Sequence, residues 1–358
     1  MHYYFPWNLY RLCILLPSLK INLKAGDIIT DLGCGPLTFT SALWINRSDL
    51  RSVPLEFNCI DRAGPALEAG KNFFSALCGQ TGFTSLTWKI NIIKKDINIH
   101  KTSNRKNNTQ TKSASLVCAI NLFNEIYEDI SHNDNESLLR IAEKAARYMH
   151  NEAEADASIL TVEPGVPQSG KFISLLRDTF MELDRIPLAP CTHIEECPFR
   201  QRRKEKQKWC HFAFEALDAP KDLIRLSTAA KLPKERLVFS FLQTGGITNN
   251  NTAKSDVNRN KKNSQANLKE AKLSVRVISD AFPLPGNRFG RYGCSSQGLV
   301  LLAGDKKRIE KIGSLSLIET QTEFAQTEFA QTEFAQTRFA SSKEQRDEKS
   351  GALIIEVI

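Results

Sequence analysis

Between residues 24 and 183, short apolar runs alternate with helical patterns, and no other feature of the chain narrows its possible folds as much. Strands are expected at 27–32, 54–60, 86–93, 115–120 and 158–162. Pro65 suits the first turn of a helix over 65–77. Leu138, Ile141, Ala142, Ala145 and Met149 fall on one helical face, with Asp134 or Asn135 available as its cap, and Phe172, Leu175, Leu176, Phe180 and Leu183 form a second apolar stripe. Strands alternating with helices over this length predict an α/β fold with a doubly wound, largely parallel sheet covered on both faces.

The chain has 358 residues, ample for a core and for one large or two modest domains. Hydrophobic residues at 41% and charged residues at 25% exclude both a membrane-integral and a wholly disordered chain. The longest apolar stretch, 9–19, is broken by Arg11 and Pro17 and is shorter than the roughly 20 residues that a bilayer requires. It lacks a signal-cleavage pattern, so a cytoplasmic location without a membrane partner is expected. Four units are expected: a helical lead-in at 1–23, a Rossmann-like domain at 24–186, a cysteine-bearing segment with further strands at 187–312, and a flexible tail at 313–358. Within the third unit, 245–272 carries seven asparagines and many lysines with few apolar residues, the composition of a solvated insertion. The tail repeats QTEFA from Gln321, a period matching neither helix nor strand.

The first expected strand runs into Asp31-Leu32-Gly33-Cys34-Gly35-Pro36 and then a helix. Glycines at such a turn let backbone approach a ligand, and the helix start offers unpaired N–H groups. Asp61, ending the second strand, is placed to accept hydrogen bonds from ribose hydroxyls, and Asp96 follows the third. The arrangement resembles the first motif of class I S-adenosylmethionine-dependent methyltransferases. The resemblance implies S-adenosylmethionine as cofactor, with Asp31, Gly33, Cys34, Gly35, Asp61 and Asp96 as cofactor-binding residues. Leu37 stands where those enzymes usually carry a third glycine, and its bulk is expected to narrow the methionine end of the site. After the fourth strand, Asn121-Leu122-Phe123-Asn124-Glu125 is not the motif with which amino-methylating enzymes grip an exocyclic nitrogen, so no catalytic residue is assigned.

The nine cysteines divide unevenly. Cys13, Cys34, Cys59, Cys78 and Cys118 fall within expected helices, strands or the glycine turn. Cys191, Cys197 and Cys210 crowd into a stretch with little regular patterning, and Cys294 precedes the last expected strand. Four thiolates hold either tetrahedral zinc or an iron–sulfur cluster. His193 and His211 keep a mixed Cys/His zinc site open. Between Cys197 and Cys210 lie Arg200, Arg202, Arg203, Lys204, Lys206 and Lys208, six cations in nine residues. Presented between two metal ligands, they would contact an RNA backbone in a salt-sensitive way.

The glycine turn, Glu163-Pro164-Gly165-Val166-Pro167-Gln168-Ser169-Gly170 with Arg177 downstream, the cysteine segment at 189–198, Trp209-Cys210-His211-Phe212, the stretch 231–242 and the Cys294 segment occur together in one order. The combination resembles the bacterial branch of the methyltransferase-like family of mitochondrial small-ribosomal-subunit proteins and assembly factors. That resemblance implies a class I methyltransferase fold extended by a 4Fe–4S cluster on Cys191, Cys197, Cys210 and Cys294. It further implies action on the small ribosomal subunit and its RNA, as a methyltransferase or as an assembly factor without turnover.

Overall fold

The computed structural model describes residues 3–82, 87–100, 113–131, 134–200, 208–247, 272–321, 339–340 and 345–357. The expected insertion, apart from its ends, most of the QTEFA repeats and four of the six clustered cations (Arg202, Arg203, Lys204 and Lys206) lie outside these residues.

Helix α1 (Tyr4–Leu15) precedes the first sheet and buries Trp7, Leu12 and Leu15. The Trp7 indole donates to Ser227 Oγ at 2.7 Å, so a residue distant in sequence holds this helix in place. Strand β1 (Ile28–Leu32) is buried at every position, as a central strand covered on both faces must be. It is followed by α2 (Thr38–Asn46), β2 (Leu55–Asp61), α3 (Gly64–Gln80), β3 (Trp88–Lys94), β4 (Ala114–Ile120), the short α4 (Phe123–Tyr127), α5 (Asn135–Glu152), β5 (Ala153–Pro164) and α6 (Pro167–Glu182). Asp134 caps α5, accepting from the Ser137 N–H at 3.0 Å. The apolar stripe on that helix, Leu138 to Met149, is buried as the periodicity predicts.

Strands β6 (Arg185–Ala189), β7 (Phe212–Glu215) and β8 (Arg236–Ile247), with α7 (Lys221–Ala229) between the last two, complete this sheet. Its order is β3-β2-β1-β4-β5-β8-β6, with β7 also on β8. Strands β3, β2, β1, β4 and β5 pair in parallel, while β8 lies antiparallel between β5 and β6. One reversed strand inserted next to the last is the strand order of class I methyltransferases. The sheet therefore runs to residue 247, past the boundary expected at 186. Chain order hides this, because β8 inserts between two strands that precede it.

Two apolar clusters cover the faces of this sheet. One includes Leu43, Trp44, Phe57, Phe74 and Trp88, and the other includes Phe123, Met149, Phe172 and Phe180. A second sheet contains β9 (Lys272–Val277), β10 (Phe282–Leu284), β11 (Arg288–Ser295), β12 (Gly298–Gly304), β13 (Leu317–Gln321), β14 (Phe339–Ala340) and β15 (Leu353–Val357), with α8 (Lys306–Lys311) after β12. The region expected as a flexible tail thus supplies β13 and β15. Ile318, Leu353, Ile355 and Val357 are buried in the core of this sheet, and apolar alternation over so few residues is easily missed beside a repeat.

Candidate cofactor pocket and cysteine cluster

The first sheet reverses its winding at β1, between β2 and β4, where open α/β sheets leave a crevice beyond the strand ends. A cavity of about 330 Å³ lies there, lined by Gly33, Gly35, Asp61, Arg62, Ala63, Ala66, Asp96, Ile97, Asn121, Leu122, Glu125 and Ile126. Gly33 and Gly35 have φ of +65° and +51°, a region natural for glycine. A Cβ on Gly33 would come within 2.7 Å of Leu122 Cδ1. The Gly33 and Cys34 N–H groups donate to Ile60 O at 2.8 and 3.1 Å, pinning the turn to the end of β2.

Four of the six residues expected to bind cofactor line this cavity: Gly33, Gly35, Asp61 and Asp96. Asp61 also braces it from beneath, accepting from the Gly35 N–H at 2.8 Å and the Ala63 N–H at 2.7 Å. Asp31 and Cys34 are not in the lining. Asp31 is buried within β1, where Oδ1 accepts from the Cys118 thiol at 3.4 Å. Leu37 is also buried, so its side chain fills the core and does not narrow the cavity. Its φ of +57° at the start of α2 explains why a glycine suits the position.

Burial raises the Asp31 carboxyl from 3.8 to about 7, with the Cys118 hydrogen bond opposing the rise and the Asp61 charge adding to it. Between those values the folded chain holds a proton that the unfolded chain has released. This contribution to stability is therefore full at low pH and is lost as pH rises toward 7. Asp31→Asn should flatten that decline, read as urea midpoints across the range. An unchanged slope would place the titration elsewhere.

The cavity wall is supported by a residue outside the expected cofactor-binding set. Glu163, at the end of β5, is fully buried. Its Oε1 accepts from the Phe123 N–H at 3.0 Å, and its Oε2 accepts from the Asn124 N–H at 2.9 Å and the Tyr127 hydroxyl at 3.1 Å. It thereby holds the start of α4 next to Asn121, Leu122 and Glu125. The signal was present, since a carboxylate immediately after an unbroken buried strand needs buried donors. Across the cavity mouth, Arg62 and Glu125 form an exposed ion pair at 3.3 Å.

The four clustered cysteines meet where the two sheets join. Cys191 and Cys197 follow β6, Cys210 precedes β7, and Cys294 lies on β11 opposite Arg276 of β9. Cys197 and Cys294 are buried and Cys191 and Cys210 half-buried, and the thiols lie within electrostatic reach of one another. Burial pushes all four upward, Cys191 to about 11, and neighbouring thiols push Cys210 and Cys294 further. Two guanidinium groups face them. Arg177, 2% exposed, donates to the carbonyls of His193 and Glu195 at 3.0 and 2.7 Å. Arg276 donates to those of Pro190 and Leu315 at 3.1 and 2.7 Å. Trp209 anchors the segment by donating to Gly165 O at 3.0 Å, and it packs so closely on Gly170 that a Cβ there would meet it at 2.6 Å.

Among the described residues, no three or more His, Cys, Asp or Glu side chains converge as they would around one metal ion. His193 Nε2 approaches Cys294 Sγ at 3.3 Å, whereas His211 Nδ1 lies 3.0 Å from Trp209 O. Of the clustered cations, Arg200 pairs with Asp178 at 3.2 Å, and the Lys208 ammonium lies 3.2 Å over the Tyr292 ring. No helix among the described residues is long and apolar enough to cross a membrane.

Solved structures similar to this chain include the YcgJ protein from Bacillus subtilis, with 10% identity, covering 67% of this chain and 99% of the other at a TM-score of 0.33. The plantazolicin methyltransferase BpumL, solved with SAH, shows 13% identity and covers 68% and 84% at 0.30. A chain of the fibrillarin/Nop5p complex shows 10% identity and covers 68% and 83% at 0.34. No curated protein sequence matches the chain. Residues 57–276, more than half of the chain, match the family described as mitochondrial small ribosomal subunit Rsm22. The match takes in most of β2 with Asp61, the buried Glu163, three of the four clustered cysteines and Arg276, and on that span the chain belongs to the Rsm22 family.

Proposed function

We propose that this chain binds S-adenosylmethionine and a 4Fe–4S cluster and acts on the RNA of the small ribosomal subunit as a methyltransferase. The observation carrying the reading is the cavity at the winding reversal, with Gly33 and Gly35 open to it and Asp61 and Asp96 on its rim. Backbone at the glycine turn would receive the methionine portion of the cofactor, and the two carboxylates its ribose and adenine. Asn121, Leu122 and Glu125 would face the incoming base. Holding the methyl donor and the acceptor in line is the main service such a site provides.

The iron–sulfur part of this reading is supported by four thiols that lie within electrostatic reach of one another. Four thiolates on a cubane each bind a different iron, so they would surround a volume without converging on one point, and the buried Arg177 and half-buried Arg276 guanidiniums suit an anionic assembly. Bound there, the cluster would tie the segment after β6 to β11. With Cys197 and Cys210 held by it, the cations that lie between them in sequence would be available to RNA phosphates. Membership of the Rsm22 family supports the small subunit as partner.

A second reading is an assembly factor without turnover, in which Asp61 serves only to brace the glycine turn through the two backbone N–H groups that it accepts. Mass mapping of methylated nucleotides in small-subunit RNA from a deletion strain separates the two. Methyl transfer requires that one methyl group disappear and return with the wild-type gene but not with Gly33→Arg, whose side chain would fill the cavity. An unchanged map with immature subunits establishes the second reading.

A further inference from the structure

The second sheet has a connectivity that the first does not explain. Strands β9, β11 and β12 pair in antiparallel succession. Helix α8 follows, then β13 returns to pair antiparallel with β9, and β15 pairs in parallel with β12. Numbered in chain order as strands one to five, these are the pairings 1–2, 2–3, 1–4 and a parallel 3–5, with a helix between three and four. That is the connectivity of the oligonucleotide-binding OB-fold. One apolar cluster draws Val275, Val300, Ile318 and Ile355 from four of those strands, with Ile309 of α8 closing it.

OB-folds engage oligonucleotides with the outer face of strands two and three and with the loop joining strands one and two. Here Cys294 on strand two is turned toward the cysteine cluster, so part of that face is covered. The loop between strands one and two remains, and it carries the β10 hairpin. Phe282 of β10 lies opposite Gly290 of β11 and stacks on Tyr292, with ring centroids 4.8 Å apart and planes 23° apart. The Lys208 ammonium lies 3.2 Å from the Tyr292 centroid, on the face that Phe282 leaves free, since both cannot share one. Both rings are partly exposed. Lys208 is also, in sequence, the last of the six clustered cations.

We propose that the second sheet is an OB-type module and that Phe282, stacked on Tyr292 beside Lys208, is a platform for an unpaired base of single-stranded RNA. A flat π-face beside a lysine ammonium suits a strand whose bases are unstacked, because the ring receives the base while the cation meets the backbone. A duplex keeps its bases paired and offers the ring nothing. This inference deepens the ribosomal RNA reading above and rests on it.

The test measures the full chain binding a labelled 12-nucleotide oligouridine, and a duplex of equal length, by fluorescence anisotropy over a salt series. Wild type should bind the single strand more tightly. Phe282→Ala and Phe282→Leu should each weaken single-strand binding about 10-fold, the effect of losing one stacked base, while duplex binding and melting temperature stay unchanged. Phe282→Trp should restore affinity. Arg202→Gln with Arg203→Gln should instead weaken both RNAs and lower the salt slope. Equal single-strand affinity in wild type and both Phe282 variants would overturn the platform alone. A wild-type chain that binds neither RNA would overturn the RNA reading as well.

Discussion

Cys294→Ser should leave anaerobically purified protein colourless and remove at least 4–5 kcal/mol of stability, the scale reached when a structural metal is lost. Cys294 is the member of the quartet that belongs to the second sheet, so a cluster bound there joins two layers that otherwise meet through packing and a few hydrogen bonds, such as those from Arg276 to Pro190 O and from Thr192 to Ser274 O. Its loss should therefore separate unfolding into two transitions, with the second sheet melting first. Cys118→Ser is the control, because Cys118 lies within β4 and donates to Asp31. It should keep the brown colour and about four irons per chain. A Cys294→Ser protein that retains colour and a single transition would remove Cys294 from the ligand set, and one zinc per wild-type chain would replace the cluster altogether.

Glu163→Ala should cost about 3–5 kcal/mol and abolish measurable S-adenosylmethionine binding. The substitution leaves the Phe123 and Asn124 N–H groups without their acceptor, each a penalty of about 1–3 kcal/mol when buried, and it opens a cavity beneath α4. Those residues adjoin Asn121, Leu122 and Glu125 in the cavity wall, so the loss of support is felt at the ligand. Glu163→Gln retains one acceptor oxygen but turns an NH₂ toward a donor, and it should cost about 1–3 kcal/mol. Burial also raises the Glu163 carboxyl from 4.5 to about 8, against the pull of its hydrogen-bond donors. Stability from this group is thus full below 4.5 and lost as pH rises toward 8, a slope that the Gln variant should lack. Chemical denaturation at several pH values together with calorimetric titration reads both effects. Full cofactor binding by Glu163→Ala would show that the α4 turn does not depend on it.

What could be read from the chain was what depends on neighbours in sequence. Periodicity placed the first five strands and the α5 stripe, and glycines at 33 and 35 marked a turn whose positive φ values side chains disfavour. The grouping of Cys191, Cys197 and Cys210 was visible as local crowding. Other features depend on contacts that periodicity does not encode. The bulk of Leu37 suggested obstruction, whereas the helix start directs it into the core. Asp31 and Asp61 looked alike as strand-end carboxylates, yet one is sealed within the sheet and the other reaches the cavity.

By itself, then, the sequence determined a doubly wound α/β sheet, its glycine turn and a set of thiols near one another along the chain, because each follows from residues a few positions apart. Only the tertiary structure decided that β8 reverses between β5 and β6, that Glu163 holds the cavity wall from beneath, and that Cys294 joins its three partners from a second sheet with its own strand order. Those features come from pairings across roughly 40 to more than 100 positions, as Glu163 with Asn124 and His193 with Cys294 illustrate. Apolar burial draws such segments together with little regard to sequence, and hydrogen bonds choose the partner only once the chain has closed around them.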